Sequence, residues 1–315
     1  MKYNQYKCFN IEASRPQVLL TGNGLTRNNK PWAELIRSLA RDGVLVAEFA
    51  AKTGEVSLTY TIMTLATADT EDTVRKKKYQ NEFSNKEYPD NPMLKRLVLL
   101  PFDAILTTNY TYEIECAQIS QYAALSDRAK QTKYACSTLP QRDNRYLLHT
   151  FNRLTEDTGD IWHIHGELRN KSSMILSHDE YARLVHEIVA YNKKRGKSYQ
   201  DYGTDLRFKS WVDYFLMGDV FILGFGMDYS EFDLWWLLGR RLREKAKVGK
   251  IYYYSIKSEE NRLKNLALHY TGVEVLEFGE SILSSDDENK KNTKYQKFYA
   301  EAIEDIKCRV ENSKK

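Results

Sequence analysis

Short apolar runs alternate with longer amphipathic stretches along most of the chain, and several of the runs stop at Gly, Thr or Asn. A run with no polar alternation is the mark of a strand buried on both faces, and a stripe at helical spacing marks a helix packed on one side. On that basis strands are predicted at 17–21, 102–108, 161–165, 219–223, 250–256 and 273–278, with a short further strand at 174–176. Helices are predicted at 31–51, where Trp32, Leu35, Ile36 and Leu39 share one stripe, and at 112–130, 208–217, 230–243, 259–269 and 295–310. Another helix is expected around 57–68. Ser177 with Glu180 forms a capping-box-like start for a helix running to about Tyr191. The segments 193–205 and 280–294 read as polar loops, and the charged stretch at 75–92 as a solvated helix end or loop.

Strands alternating with helices predict an α/β fold: a Rossmann-like parallel sheet covered by helices on both faces. With 315 residues and no internal repeat or low-complexity linker, the economical organisation is one domain over 1–315, with a helical insertion around 50–95. The helix at 230–243 carries Phe232, Leu234, Trp235, Trp236, Leu237 and Leu238, more apolar surface than one face of a sheet needs. It is expected to be covered on its far side by another subunit or by the insertion.

Composition changes this picture little, but it excludes several classes. The balance of 47 basic and 43 acidic residues leaves a net charge of +4, too small to indicate nucleic acid. The four cysteines, Cys8, Cys116, Cys136 and Cys308, include no close pair, so neither a zinc ribbon nor a disulfide framework is expected. No apolar run approaches the ~20 residues of a membrane span, and the first residues lack a signal-peptide core. A reduced, cytoplasmic protein with no membrane partner is expected.

The chemistry is concentrated in four short words: LLTGNGLT (19–26), AILTTNY (104–110), WHIHG (162–166) and FILGFG (221–226). In the first, glycines after a strand and before a helix allow backbone amides to approach a diphosphate at a helix N-terminus; a plain tight turn is the other reading. In the second, Thr and Asn suit sugar hydroxyls, an amide or a positioned water, or else form an Asx-turn that caps the next helix. In the third, His163 and His165 lie two apart and share one face if the strand continues through them. No cluster of Cys, Asp or Glu with ligand spacing lies near them in sequence, so no metal is expected. His165, beside Gly166 and expected to be exposed, is the candidate base; His163 is the structural one. In the fourth, Gly224 and Gly226 leave room for a ribose or adenosine, and Asp228 either accepts from its hydroxyls or serves as a charge favoured at a helix N-terminus.

In this order the four words resemble those of the SIR2-like superfamily, and most of all its bacterial group with TTNYD, HG and a late GxGxxD, which includes NAD-consuming effectors of anti-phage defence. The resemblance spans roughly 17–240. It implies that Gly22, Asn23, Gly24 and Thr26 form the phosphate loop, that Thr108 and Asn109 lie beside the nicotinamide ribose, that His165 is the base, and that Gly224, Gly226 and Asp228 form the adenosine-side loop. Asn109 and His165 are then the catalytic residues and NAD is the substrate. Two departures stand out: Asn23 replaces the Ala of sirtuins, and Thr111 replaces the Asp that the family carries near the nicotinamide. The four-cysteine zinc module of sirtuin deacetylases is excluded by the cysteine positions.

The resemblance therefore implies an NAD glycohydrolase, NAD plus water giving nicotinamide and ADP-ribose, regulated by homo-oligomerisation or by a second defence protein. NAD-dependent protein deacylation is the alternative within the fold. A non-catalytic nucleotide-binding or scaffolding subunit is the third reading, against which the presence of both Asn109 and His165 argues.

Overall fold

The computed structural model describes residues 7–11, 14–26, 61, 90–122, 146–149, 151–153, 158–168, 170–195, 205–244 and 248–313. The expected helix at 31–51, all of the expected helix at 57–68 except residue 61, and nearly all of the expected insertion at 50–95 lie outside the described residues.

Six parallel strands form the central sheet. In chain order they are β2 (Gln17–Thr21), β3 (Ala104–Thr107), β4 (Asp160–His163), β6 (Asp219–Leu223), β7 (Ile251–Ile256) and β8 (Glu274–Phe278), and in space they run β4-β3-β2-β6-β7-β8. This is the doubly wound order, in which the chain moves outward from β2 in one direction and then from β6 in the other. β2 lies between β3 and β6, with Leu19 in register with Ile105 on one side and Phe221 on the other. All five residues of β2 are buried, which explains why QVLLT shows no polar alternation.

Successive residues of these strands feed two separate cores. Val18, Leu20, Leu106, Trp162 and Ile222 face a layer made by α3 (His178–Arg195), α4 (Trp211–Met217) and α5 (Phe232–Arg243). Leu19, Ile105, Ile161, Phe221 and Leu223 face α1 (Pro92–Val98), α2 (Glu113–Tyr122) and α7 (Glu288–Ser313). Helices cover both faces, as predicted. The remaining crossover helix, α6 (Arg262–Tyr270), joins β7 to β8. A small antiparallel pair, β1 (Cys8–Asn10) with β5 (Asp205–Arg207), stands apart from the sheet.

Three local expectations are corrected. Residues 174–176 form no strand. This buried segment satisfies its backbone through loops and side chains: Ile175 N–H donates to the His165 carbonyl at 2.9 Å, and Leu176 N–H to Glu180 at 2.7 Å. The same Glu180 carboxylate accepts from Ser177 N–H at 2.9 Å while Ser177 Oγ accepts from Glu180 N–H at 3.3 Å, so the expected capping box opens α3. That helix runs one turn further than expected, to Arg195, because the Arg195 guanidinium is held by buried Asp213 at 2.8 Å. At the other end of the chain, α7 begins at Glu288, inside the expected 280–294 loop. Its first turns are polar on every side and lie on the surface, so they carry no apolar stripe by which sequence could reveal a helix.

Candidate functional site

Ligands of doubly wound sheets bind at the carboxyl ends of the strands, where the strand order reverses. Here that point lies between β2 and β6, and a cleft of about 390 Å³ opens there. The loops after β2 and β6 meet back to back, Gly24 N–H donating to the Gly224 carbonyl at 2.8 Å. A Cβ on Gly24 would stand 2.7 Å from that oxygen, so the contact requires glycine at this position. Asn23 and Gly24 line the cleft from the first loop, and Gly224, Gly226 and Asp228 from the second. Gly22 lies buried beneath the wall, against Phe225 and Thr108, and Thr26 ends the short 3₁₀ turn of residues 23–26.

The second loop is pinned from α5. Trp235 Nε1–H donates to the Asp228 carbonyl at 2.8 Å, and Tyr229 stacks on the Trp235 ring. One carboxylate oxygen of Asp228 accepts from both the N–H and the hydroxyl of Ser230 at 3.0 Å, an Asx-turn just ahead of α5. Both readings of Asp228 thus coexist, because the residue also lines the cleft. Met227 holds a left-handed backbone, φ 47°, a costly conformation for a side-chain-bearing residue, and it occurs at the cleft wall.

Thr108, Asn109 and Thr111 enter the cleft from the end of β3. Asn109 is fixed through its backbone: its N–H donates to Thr107 Oγ1 at 3.1 Å and its carbonyl accepts from His163 Nδ1 at 2.6 Å. Thr111 donates to the Glu113 carboxylate at 2.6 Å.

The two histidines do not share a face. β4 stops at His163, Ile164 N–H still donates to Thr107, and the chain then turns through Gly166 at φ 98°. A Cβ on Gly166 would lie 2.3 Å from the Ser173 carbonyl, which explains the glycine of WHIHG. His163 therefore points toward α2 and His165 into the opposite layer, toward α3 and α5. His163 is buried, with Nε2 2.8 Å from Glu115 Oε1, and Asn152 donates to the same oxygen at 2.9 Å. Burial disfavours the imidazolium, but the Glu115 charge outweighs it and raises the pKa to about 9. Burial acts on Glu115 in the opposite sense, and the His163 charge holds its carboxyl below its ordinary value.

His165 lines the cleft but is only 2% exposed, contrary to the exposed imidazole expected from sequence. Tyr181 of α3 packs edge-on against the ring, and two carboxylates at the start of α5 enclose it. Asp233 Oδ2 lies 3.1 Å from Nε2, and Glu231 Oε2 lies 3.7 Å from the same atom. Burial lowers the pKa of His165, and Asp233 and Glu231 raise it by more, so the ring is a stronger base than an ordinary histidine. Glu231 also lines the cleft and accepts from the Tyr181 hydroxyl at 3.0 Å. One ligand-capable atom from each of His165, Glu231 and Asp233 falls within 4.8 Å of the others. The chain near residue 165 holds no acidic cluster; the fold brings both carboxylates from 66 and 68 residues downstream, as 231 and 233 stand to 165.

Elsewhere among the described residues, no disulfide joins Cys8, Cys116 or Cys308. The remaining wall of the cleft is formed by Tyr253, Tyr254 and Ser255 of β7, Lys264 of α6 and Tyr295 and Tyr299 of α7.

No curated protein matches this chain. Residues 103–276, from the start of β3 to within β8, match the SIR2-like domain. That stretch contains Asn109, His165 and the second glycine loop; β2 and its GNGLT loop precede it and complete the sheet between β3 and β6. As the match takes in more than half of the 315 residues, the chain belongs to the SIR2-like domain family.

Proposed function

We propose that this protein is an NAD glycohydrolase, which cleaves NAD with water to nicotinamide and ADP-ribose. The observation that carries the reading is convergence: residues from all four sequence words, Gly24, Asn109, His165 and Gly224 among them, line one cleft at the reversal point of a SIR2-like sheet. Such a fold supports NAD-related chemistry, and the cleft has the parts that hydrolysis needs. Backbone amides of the two glycine loops receive the diphosphate. The Asn109 side chain, a neutral donor and acceptor on a backbone fixed from both sides, orients water toward the ribose carbon. His165 and its carboxylates handle the proton. The glycosidic bond breaks with its electron pair moving to the pyridinium nitrogen, which leaves as neutral nicotinamide. The four cysteines, at positions 8, 116, 136 and 308, include no close pair of the kind a four-cysteine zinc module uses, which favours hydrolysis over deacylation.

An unrestrained NAD hydrolase depletes its own cell, so we assign the protein to anti-phage defence, with activation by self-assembly or by a second protein. The outer side of α5 supports assembly: Phe232 is 46% exposed and Trp235 and Trp236 are half-buried, whereas Leu234, Leu237 and Leu238 are fully buried against the sheet. Among the described residues no helix is long and apolar enough to cross a membrane.

Incubating purified protein with NAD and following nicotinamide release tests the reading. Release of nicotinamide without any acyl-peptide co-substrate is the expected result. Rapid turnover of acetyl-lysine peptides with NAD otherwise stable would establish the deacylase instead.

A further inference from the structure

Glu231 occupies the N-cap of α5, a position whose side chain ordinarily accepts from the free N–H groups of the first turn. It makes no such bond. Its carboxylate turns inward instead, onto the cleft wall, where it meets the Tyr181 hydroxyl at 3.0 Å and His165 Nε2 at 3.7 Å. Asp233, wholly buried, lies behind it and makes the closer contact with His165 at 3.1 Å. The trio thus places two carboxyls around one imidazole. When it holds a single proton it is net negative, which suits a cleft in which positive charge develops on the ribose carbon.

We propose that Glu231 is the group that accepts the proton of the attacking water, with His165 and Asp233 forming a charged pair behind it. This rests on the NAD glycohydrolase reading and names the acceptor within it. In the step, water oxygen bonds to the ribose carbon, the carbon–nitrogen bond breaks toward nicotinamide, and one water proton passes to the Glu231 carboxylate. The products are nicotinamide, ADP-ribose and a proton that Glu231 later releases to solvent.

The surroundings support the assignment. Burial raises the Glu231 pKa to about 7, His165 and the Tyr181 hydrogen bond oppose the rise, and Asp233 and Asp228 add to it. Its carboxylate form is therefore populated near neutrality and its basicity is greater than that of an exposed glutamate. His165 turns Nε2 to the buried Asp233 carboxylate at 3.1 Å, nearer than Glu231 at 3.7 Å, and both carboxylates raise its pKa, which favours the paired, charged ring behind Glu231. Facing groups come from the loop after β4 (His165), from α3 (Tyr181), from the loop after β6 (Asp228) and from α5 (Asp233).

The test is the pH profile of nicotinamide release by the full chain, with NAD affinity measured calorimetrically on the same samples. Wild-type kcat/KM should rise through an acid limb near pH 7. Glu231→Gln, which keeps the acceptor for Tyr181, should bind NAD as tightly, lose ~100-fold or more in kcat and lack the limb. Tyr181→Phe leaves the carboxylate in place and removes the bond that favours its charged form, so the limb should move upward. It keeps the proposal testable if the glutamine variant misfolds. Glu231→Gln activity within about threefold of wild type, or an unchanged limb in either variant, overturns the proposal while leaving the hydrolase reading standing. Activity abolished by a chelator and restored by one divalent cation also overturns it, because the trio then binds metal. Wild-type protein that binds NAD and leaves it intact at every pH overturns both.

Discussion

The His163–Glu115 pair allows a quantitative prediction. His163 has an ordinary pKa of 6.5 and reaches about 9 in the folded chain, a gap of about 2.5 units. At about 1.4 kcal/mol per unit this corresponds to roughly 3 kcal/mol of differential stabilisation. The lowered pKa of Glu115 reports the same contact and is not added to it. The contribution of a group whose pKa is raised on folding is complete below the unfolded value and disappears as pH climbs through the folded one. The contribution of the depressed carboxylate is present above its ordinary 4.5 and is lost in acid. The coupling should therefore be greatest between about pH 4.5 and 6.5 and should vanish above about 9.

The appropriate perturbation is a double-mutant cycle of His163→Gln, Glu115→Gln and the pair, which removes the charges while keeping hydrogen-bonding groups. Urea unfolding at pH 5.5 should give a coupling of about 3 kcal/mol, falling below about 1 kcal/mol at pH 9.5. Each single variant takes the nearest counter-charge from a buried partner, so each should lose more stability than the double variant. A coupling below about 1 kcal/mol at pH 5.5, or one that does not change with pH, would refute the assignment of His163 as a buried cation. Because His163 Nδ1 also holds the Asn109 carbonyl at 2.6 Å, the variants should show reduced kcat as well as reduced stability.

Asn109→Ala and His165→Ala should each abolish nicotinamide release; Asn109→Ala should change the melting temperature little, since among the described residues it is tied into the fold through its backbone. Gly24→Ala should fail on stability, by about 1–3 kcal/mol, because its Cβ meets the Gly224 carbonyl at 2.7 Å, whereas Gly226→Ala, with nothing within 4 Å, should fold normally and bind NAD more weakly if the ligand backbone passes there; unaltered NAD affinity in a calorimeter would place the ligand elsewhere. Light scattering on samples assayed for nicotinamide release should show active protein as an oligomer burying at least ~1,000 Å² per interface, and Phe232→Glu should dissociate it; a monomer with full activity would remove the case for assembly.

The sheet was legible because its strands are buried on both faces. QVLLT and DVFIL show unbroken apolar runs, and their bounds agree with β2 and β6 to the residue. What escaped was structure held by contacts rather than by pattern. β1 and β5 pair over three residues each, too few for alternation to register. The 174–176 run is as apolar as a strand, yet its neighbours are a loop carbonyl, the Tyr110 hydroxyl and the Glu180 carboxylate. Apolar content there marks burial and does not distinguish a strand from a packed loop.

The site divides along the same line. Gly24, Asn109, His165 and Gly224 are legible because each follows a strand end, and strand ends of a doubly wound sheet converge whatever their separation in sequence. Glu231 and Asp233 do not follow a strand end. They sit in YSEFDLWWLL, where acidic residues ahead of an apolar helix read as ordinary N-terminal charges. The signal that could have found them is the failure of that explanation: α5 already has Asp228 and Ser230 to order its entry, so two further carboxyls exceed what the helix needs. Asp233 is wholly buried and one helical residue inside α5, on the side that faces His165, so its charge serves the histidine rather than the helix end. The same fold fact sends His163 and His165 into opposite layers. A strand two residues longer than β4, running through His165, would have placed both rings on one face, and the cleft would then have lacked either the His163 clamp on Asn109 or the His165 ring beside it.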